Sequence, residues 1–312
     1  MARPLAAILT LILMLAAGAS QATAAARGES FPRPTTLEPN ITFWKQVFTE
    51  WGEAQHAIHD KERLDIVYEV VRTEPPKSNG RTPPAATERL RLRMAHYAGF
   101  LRMLEAQGPE GLGEEGKRLY ELWGCPCAPG VLEGAADRLR SQRGIRERFS
   151  LALQRAEKLR PKMLPILRQH KVPEELVALP LIESSFDNRA RSHAKAAGLW
   201  QFLRSTARRF GLSVRGKQDE RYDPVRSTAA AARMLKHHHE ELGSWPLAIT
   251  AYNHGLGGIK RAVQTLGTQD IGRIVAEYQG RRFGFASRNF YAEFLAAMEL
   301  MELHFAQAAK PD

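Results

Sequence analysis

Apolar residues recur at helical spacing through most of the second half of the chain. Ile145, Phe149, Leu153 and Ala156 stand three or four positions apart, which predicts one helix, and 159–170 reads as a second. Pro173 before Glu174 and Glu175 suits a helix start, in ring geometry and in dipole. The helix that follows, Leu176 to Glu183, is apolar on every side and so predicted buried, with a kink at Pro180. Asp223-Pro224 marks another start, and that helix runs through an alanine-rich stretch to about Leu242 and stops at Gly243. Further helices are predicted over 245–254, 271–278 and 287–305.

Upstream the pattern is less regular. Asp65 to Val71 has strand composition, 73–84 is a proline-rich loop, and 90–104 returns to helical periodicity before a glycine-rich break at 107–116. From Pro129 onward the chain reads as helix after helix. Residues 27–40 hold three prolines and little apolar pattern, and read as a disordered leader. The expectation is a mainly α protein, with a helical domain over 143–306 preceded by a less regular accessory region over 27–142.

The first 26 residues read as a secretory signal: Arg3, an apolar run from Leu5 to Ala17, then small residues that fit a cleavage site. That run is short for a bilayer span. The expected location is therefore outside the cytoplasm, in the periplasm or cell envelope. An apolar content of 44% is ordinary for a globular core. A net charge of +11 favours an acidic polymer as partner. Export and the lack of any nucleic-acid module argue against nucleic acid. Cys125 and Cys127, separated by Pro126, are the two cysteines, and export permits a disulfide. The reading favoured for them is structural: a bridge, or two thiols capping a turn. His237, His238 and His239 fan out around a helix and cannot converge on one ion, so they read as a solvated face. No metal and no cofactor are expected.

The candidate chemistry centres on Glu183. It stands in Leu181-Ile182-Glu183-Ser184-Ser185-Phe186, and Ser192 and Gly198-Leu199-Trp200-Gln201-Phe202 follow. Farther on comes Ala251-Tyr252-Asn253-His254-Gly255. A carboxyl at the end of an apolar helix gains proton affinity by desolvation, which equips it as a general acid near neutral pH. Asp187, four positions on, lies past the expected helix exit and is not assigned chemistry. The motifs, in this order and spacing, resemble those of the lytic murein transglycosylase family with a goose-lysozyme-like catalytic domain, in its membrane-bound D-type branch. The resemblance covers about residues 143–300 and is weaker at Phe43-Trp44-Lys45, His59-Asp60 and Val67-Tyr68.

That resemblance implies a lysozyme-like helical catalytic domain, peptidoglycan strands as substrate, and cell-wall synthesis or division proteins as further candidate partners. It implies Glu183 as the one catalytic residue, acid first and then base. It implies Ser184, Ser192, Gln201, Tyr252, Asn253 and Tyr291 as substrate contacts. Two departures stand out. Ala286 to Tyr291 replaces a family motif that normally carries a Glu and places its Tyr one position earlier, and Lys195 stands where the broader family often has Gly. A hydrolytic muramidase on the same scaffold and a non-catalytic wall-binding protein are the alternative readings.

Overall fold

The computed structural model describes residues 30–77, 80–126, 130–215 and 218–308. The expected signal, 1–26, and Cys127 lie outside them. Two compact units emerge. One joins the segment ending at Thr36 to Arg233–Tyr291, and the other joins Leu37–Ala232 to the segment beginning at Ala292.

The larger unit opens with helix α1, Glu38–Thr49, which buries Ile41, Phe43, Trp44, Val47 and Phe48. Strands β1 (Gln55–Asp60), β2 (Val67–Arg72) and β3 (Leu139–Arg143) form one antiparallel sheet in the order β2-β1-β3. Ile58 faces Glu69 on one side and Ser141 on the other. The expectation of unbroken helix after 129 therefore fails at β3. Leu-Arg-Ser-Gln-Arg carries no strand pattern of its own, and its conformation comes from pairing with β1. This pairing also ties 139–143 to the upstream region. Buried Asp60 fixes the β1–β2 turn by accepting the backbone N–H groups of Glu62 and Arg63 at 2.7 and 2.9 Å and Arg138 Nε at 2.8 Å.

Helix α2, Pro84–Gln107, lays Leu90, Tyr97, Leu101 and Leu104 into a core shared with Ile58, Tyr68, Val71 and Trp123. Helix α3, Gly113–Leu122, adds Leu119 to it. Cys125 is disulfide-bonded and sits in the same core, in keeping with a structural role.

Helix α4 is a single element, Arg146–Gln169, where two were expected, and it runs through Pro161 and Pro165. Each proline removes an N–H and crowds the preceding turn. The helix persists because Phe149, Ala152, Ala156, Met163 and Leu167 make one buried stripe, and the stripe outweighs the lost bonds. Phe149 stacks on Phe48 of α1 at 4.7 Å. The expected kink at Pro180 takes the form of a joint: a 3₁₀ turn, Glu174–Ala178, passes into helix α5, Leu179–Ser184, with Pro180 in its first turn.

Helix α6, Arg204–Arg209, and the two-residue pair β4 (Val214–Arg215) and β5 (Gln218–Asp219) lead to helix α7, Pro224–Leu242. Asp223 caps α7 as expected, its Oδ1 accepting from Val225 and Arg226 at 2.8 and 2.9 Å. His238 of α7 is buried rather than solvated, and the His239 ring stacks on Trp245 at 4.1 Å.

The smaller unit contains helix α8 (Trp245–His254), which ends at Gly255 as expected. Helix α9 (Leu256–Leu266) packs on it and was not foreseen, since its early glycines mask the pattern. Asp270 caps helix α10, Ile271–Glu277. Residues 30–40 do not form a disordered leader: Phe31 and Leu37 are buried, and Thr36 lies against Gly272. Helix α11, Phe285–Ala308, contributes residues to both units. No helix among the described residues is long and apolar enough to cross a membrane.

Candidate active site

Glu183 occupies the last turn of α5. The helix stops directly behind it because Ser185 and Phe186 both take positive φ, 53° each. The Pro180 carbonyl closes this end, accepting the Phe186 N–H at 3.0 Å and the Ser184 hydroxyl at 3.2 Å. Leu179, Pro180 and Leu181 are buried, so the helix is held by its apolar face.

The following loop is built to a fixed shape. Ser192 Oγ accepts from the Ala196 N–H at 3.0 Å, and Lys195 sits at φ 66°, in the left-handed region that favours glycine. Gly198 has φ 77°, and a Cβ on it would fall 1.7 Å from the Arg221 carbonyl oxygen. Trp200 is wholly buried, its Nε1 donating to Thr228 Oγ1 at 3.0 Å, so it anchors the loop to α7. The buried Arg221 guanidinium pairs with Asp219 at 2.6 Å and donates to the carbonyls of Lys195 and Phe202, each at 2.9 Å. Gln201, at φ 45°, donates through Nε2 to the Gly198 carbonyl at 2.8 Å.

These elements border a cavity of about 590 Å³, wholly within the larger unit. Glu183, Ser184, Ser192 and Gln201 all line it, so four of the expected site residues converge. Asp187 also lines it and accepts the Arg189 N–H at 2.9 Å. Trp44 and Phe48 of α1 form an apolar part of the wall. Arg148 and Arg155 of α4 and Arg191 of the loop bring three guanidinium groups, which suits an anionic ligand. Arg155 also donates to the Ser185 carbonyl at 3.1 Å.

The electrostatics of the cavity are unusual. Burial pushes the Glu183 carboxyl up to about 8 from 4.5. A third carboxyl, Glu293 of α11, lines the same cavity. It too is pushed up to about 8, by burial first and then by the Glu183 charge, with Arg140 of β3 pulling the other way. Glu293 was not foreseen. The signal was present, because it is the single charged side chain between Phe290 and Met298.

The remaining expected residues belong to the smaller unit. Tyr252 and Asn253 end α8. Asn253 is exposed and its Oδ1 accepts from Ser287 Oγ at 3.2 Å, while Ser287 is bonded to His254 Nδ1 at 3.0 Å. Tyr291 contradicts its expected role. It is 0% exposed and its hydroxyl donates to the Pro32 carbonyl at 2.8 Å, so it is packed inside and has no surface for a substrate.

Another cavity, about 550 Å³, lies where β1 and β3 meet α2, lined by His56, Thr87, Leu90, Met94, Ser141 and Arg143 among others. It contains no carboxyl group, and burial with the Arg143 charge holds His56 down to about 4.

Residues 166–275 match the family model described as the Transglycosylase SLT domain, a stretch that includes Glu183, Gln201 and Tyr252. The membrane-bound lytic murein transglycosylase D of Escherichia coli K12 is 42% identical over 100 residues, which is 32% of this chain and 22% of that protein. A putative tributyltin chloride resistance protein of an Alteromonas strain is 37% identical over 101 residues, 32% of this chain and 49% of that one. The chain thus spans less than half the length of these relatives. A looser likeness links it to the 70 kDa soluble lytic transglycosylase of Escherichia coli, at 14% identity and a TM-score of 0.40, over 88% of this chain and 52% of that one.

Proposed function

We propose that this chain, which carries a transglycosylase SLT domain, cleaves the β-1,4 bond between N-acetylmuramic acid and N-acetylglucosamine in peptidoglycan without using water. The observation that carries this reading is one carboxyl, Glu183, held protonated near neutral pH at the wall of a cavity rich in guanidinium groups. Glu183 donates its proton to the glycosidic oxygen, and the bond from that oxygen to the anomeric carbon breaks. The Glu183 carboxylate then takes the proton of the muramic C6 hydroxyl, whose oxygen closes on the anomeric carbon. The product ends in 1,6-anhydromuramic acid, and Glu183 is again protonated. Burial favours both steps, since it strengthens the carboxylate as a base as much as it retains the proton.

Ser184, Ser192 and Gln201 are the proposed substrate contacts in the cavity, and Arg148, Arg155 and Arg191 fit the lactyl and peptide carboxylates of the wall. The proposed catalytic domain is the lysozyme-like helical stretch 143–306, with 27–142 as an accessory region. Export through the first 26 residues would bring the chain to its substrate in the envelope.

A second reading, a hydrolytic muramidase, is favoured by the presence of Glu293, because a second carboxyl is what a hydrolase uses to activate water. Mass spectrometry of muropeptides released from purified sacculi separates the two, since the anhydro product is one water lighter. Glu183→Gln should lower cleavage by at least about 10²-fold while leaving binding to sacculi in place. Hydrated ends from the wild-type protein, or near-normal turnover by the variant, would overturn the proposal.

A further inference from the structure

The cavity where β1 and β3 meet α2 has no part in the mechanism above. β3 is an edge strand of its sheet, in the order β2-β1-β3. His56 stands opposite Arg143 and Ile58 opposite Ser141, so these side chains share one face of the sheet. His56, Ser141 and Arg143 line that cavity together with Leu90 and Met94 of α2. Gln142, between Ser141 and Arg143, belongs to the opposite face, and at the sheet edge it lines both this cavity and the one that holds Glu183. The two cavities thus meet at one strand.

The polar groups of this cavity suit an anion. Arg143 Nη2 donates to the Gly80 carbonyl at 3.1 Å, and no carboxylate among the described residues pairs with it. Arg91, by contrast, is held by Glu88 at 2.7 and 2.8 Å. His56 is 5% exposed, and its Nδ1 lies 3.4 Å from Ser141 Oγ. With the Ser141 hydroxyl donating to Nδ1, the neutral ring carries its proton on Nε2, which has no hydrogen-bond partner among the described residues. A buried N–H and a fork-shaped guanidinium on one sheet face match the two oxygens of a carboxylate. Leu90 and Met94 add an aliphatic wall that takes a short alkyl side chain.

We infer that this cavity binds the free carboxylate end of a peptide stem on the same peptidoglycan strand whose sugars occupy the Glu183 cavity. The inference rests on peptidoglycan being the substrate. It gives the region outside the matched stretch 166–275 a share in selecting that substrate, because His56, Leu90, Met94 and Arg143 all lie there. A stem of four residues reaches roughly 13 Å when extended, against about 10 Å for the depth of one sheet layer. A stem can therefore leave the sugars, pass Gln142 at the sheet edge and end at Arg143. A terminal alanine then lays its methyl on Leu90 and Met94 and its carboxylate between Arg143 and His56. Stems whose ends are cross-linked lack that carboxylate, so the site favours strands with free stems.

The test is an NMR titration of the full chain, labelled at histidine, with the four-residue stem peptide that ends in D-alanine; His56→Gln assigns the His56 resonance. That resonance should move and saturate. The same peptide amidated at its end should bind roughly tenfold or more weakly, the loss expected when a hydrogen bond to a charged group goes. Arg143→Met removes the cation and Met94→Trp fills the cavity, and each should weaken the acid peptide by a similar factor. On glycan strands that carry stems, both variants should raise KM several-fold and leave kcat unchanged. On strands stripped of stems by an amidase, both should match the wild type. A His56 resonance indifferent to the peptide, equal binding of acid and amide, or an equal rise in KM on stripped strands overturns the proposal. If the variants fail to fold, the wild-type titration with the two peptides decides. Selective binding of the acid peptide without cleavage of either strand would sink the proposed reaction and spare this site, while cleavage with no His56 response does the reverse.

Discussion

Glu183→Gln should change the pH dependence of folding as well as the chemistry. The side chain keeps its size, and one titrating group disappears. In the folded protein that group titrates at about 8, against 4.5 when free. The folded value is the higher one, so the folded state holds its proton more tightly than the unfolded state. The associated stability is fully present below about 4.5 and is lost as pH rises towards about 8. Inside that window one extra bound proton corresponds to about 1.4 kcal/mol per pH unit. Between about pH 5.5 and about pH 7.5 the wild-type protein should therefore lose roughly 2–3 kcal/mol through Glu183, and the variant should be spared that loss. At roughly 2–4 °C per kcal/mol for a chain of this size, the gap between the two pH values should narrow by about 5–10 °C in Tm. Calorimetry of both proteins at both pH values measures it. Equal pH dependence in the two would show that Glu183 is not held protonated by burial, and the acid assignment would lose its physical basis.

Three other outcomes follow from particular contacts. Tyr291→Phe removes a hydroxyl that serves Pro32, so it should cost about 1 kcal/mol of stability and leave KM for soluble glycan fragments unchanged; a several-fold rise in KM would return Tyr291 to the substrate. Gly198→Ala drives a Cβ into the Arg221 carbonyl and strains a positive φ, so it should cost roughly 3 kcal/mol or more and show as a lower urea midpoint; an unchanged midpoint would mean that the loop is not held as described. Sedimentation with sacculi should weaken between ~0.15 and ~1 M salt as the Debye length falls from about 8 to about 3 Å, while the saturated cleavage rate stays level; salt-independent binding would show that the basic surface does not hold the polymer.

Local signals account for what could be read ahead of the structure. Asp223-Pro224, Gly243 and Gly255 mark helix ends by their own backbone preferences, and α7 and α8 end where those residues stand. Glu183, Ser184, Ser192 and Gln201 lie within one short stretch of chain, so a contiguous motif was enough to bring them to one cavity. Leu90, Tyr97, Leu101 and Leu104 announced the buried face of α2 by spacing alone.

Long-range contacts decided the rest. Leu139–Arg143 is a strand because β1 offers it backbone partners, and its own residues say little. Arg146–Gln169 stays one helix because its buried stripe outweighs two prolines that, by themselves, argue for a break. Residues 31–37 are held in place because Phe31 and Leu37 are buried, which their proline-rich local sequence does not announce. Tyr291 fits a binding motif by sequence, yet packing turned it inward. Glu293 stands 110 positions from Glu183, and nothing in either segment records that they share a cavity. The sequence determined where a proton could be carried, since one residue type in one local setting defines an acid. How tightly that proton is held depends on the solvent and charge around it, and only tertiary packing fixes those.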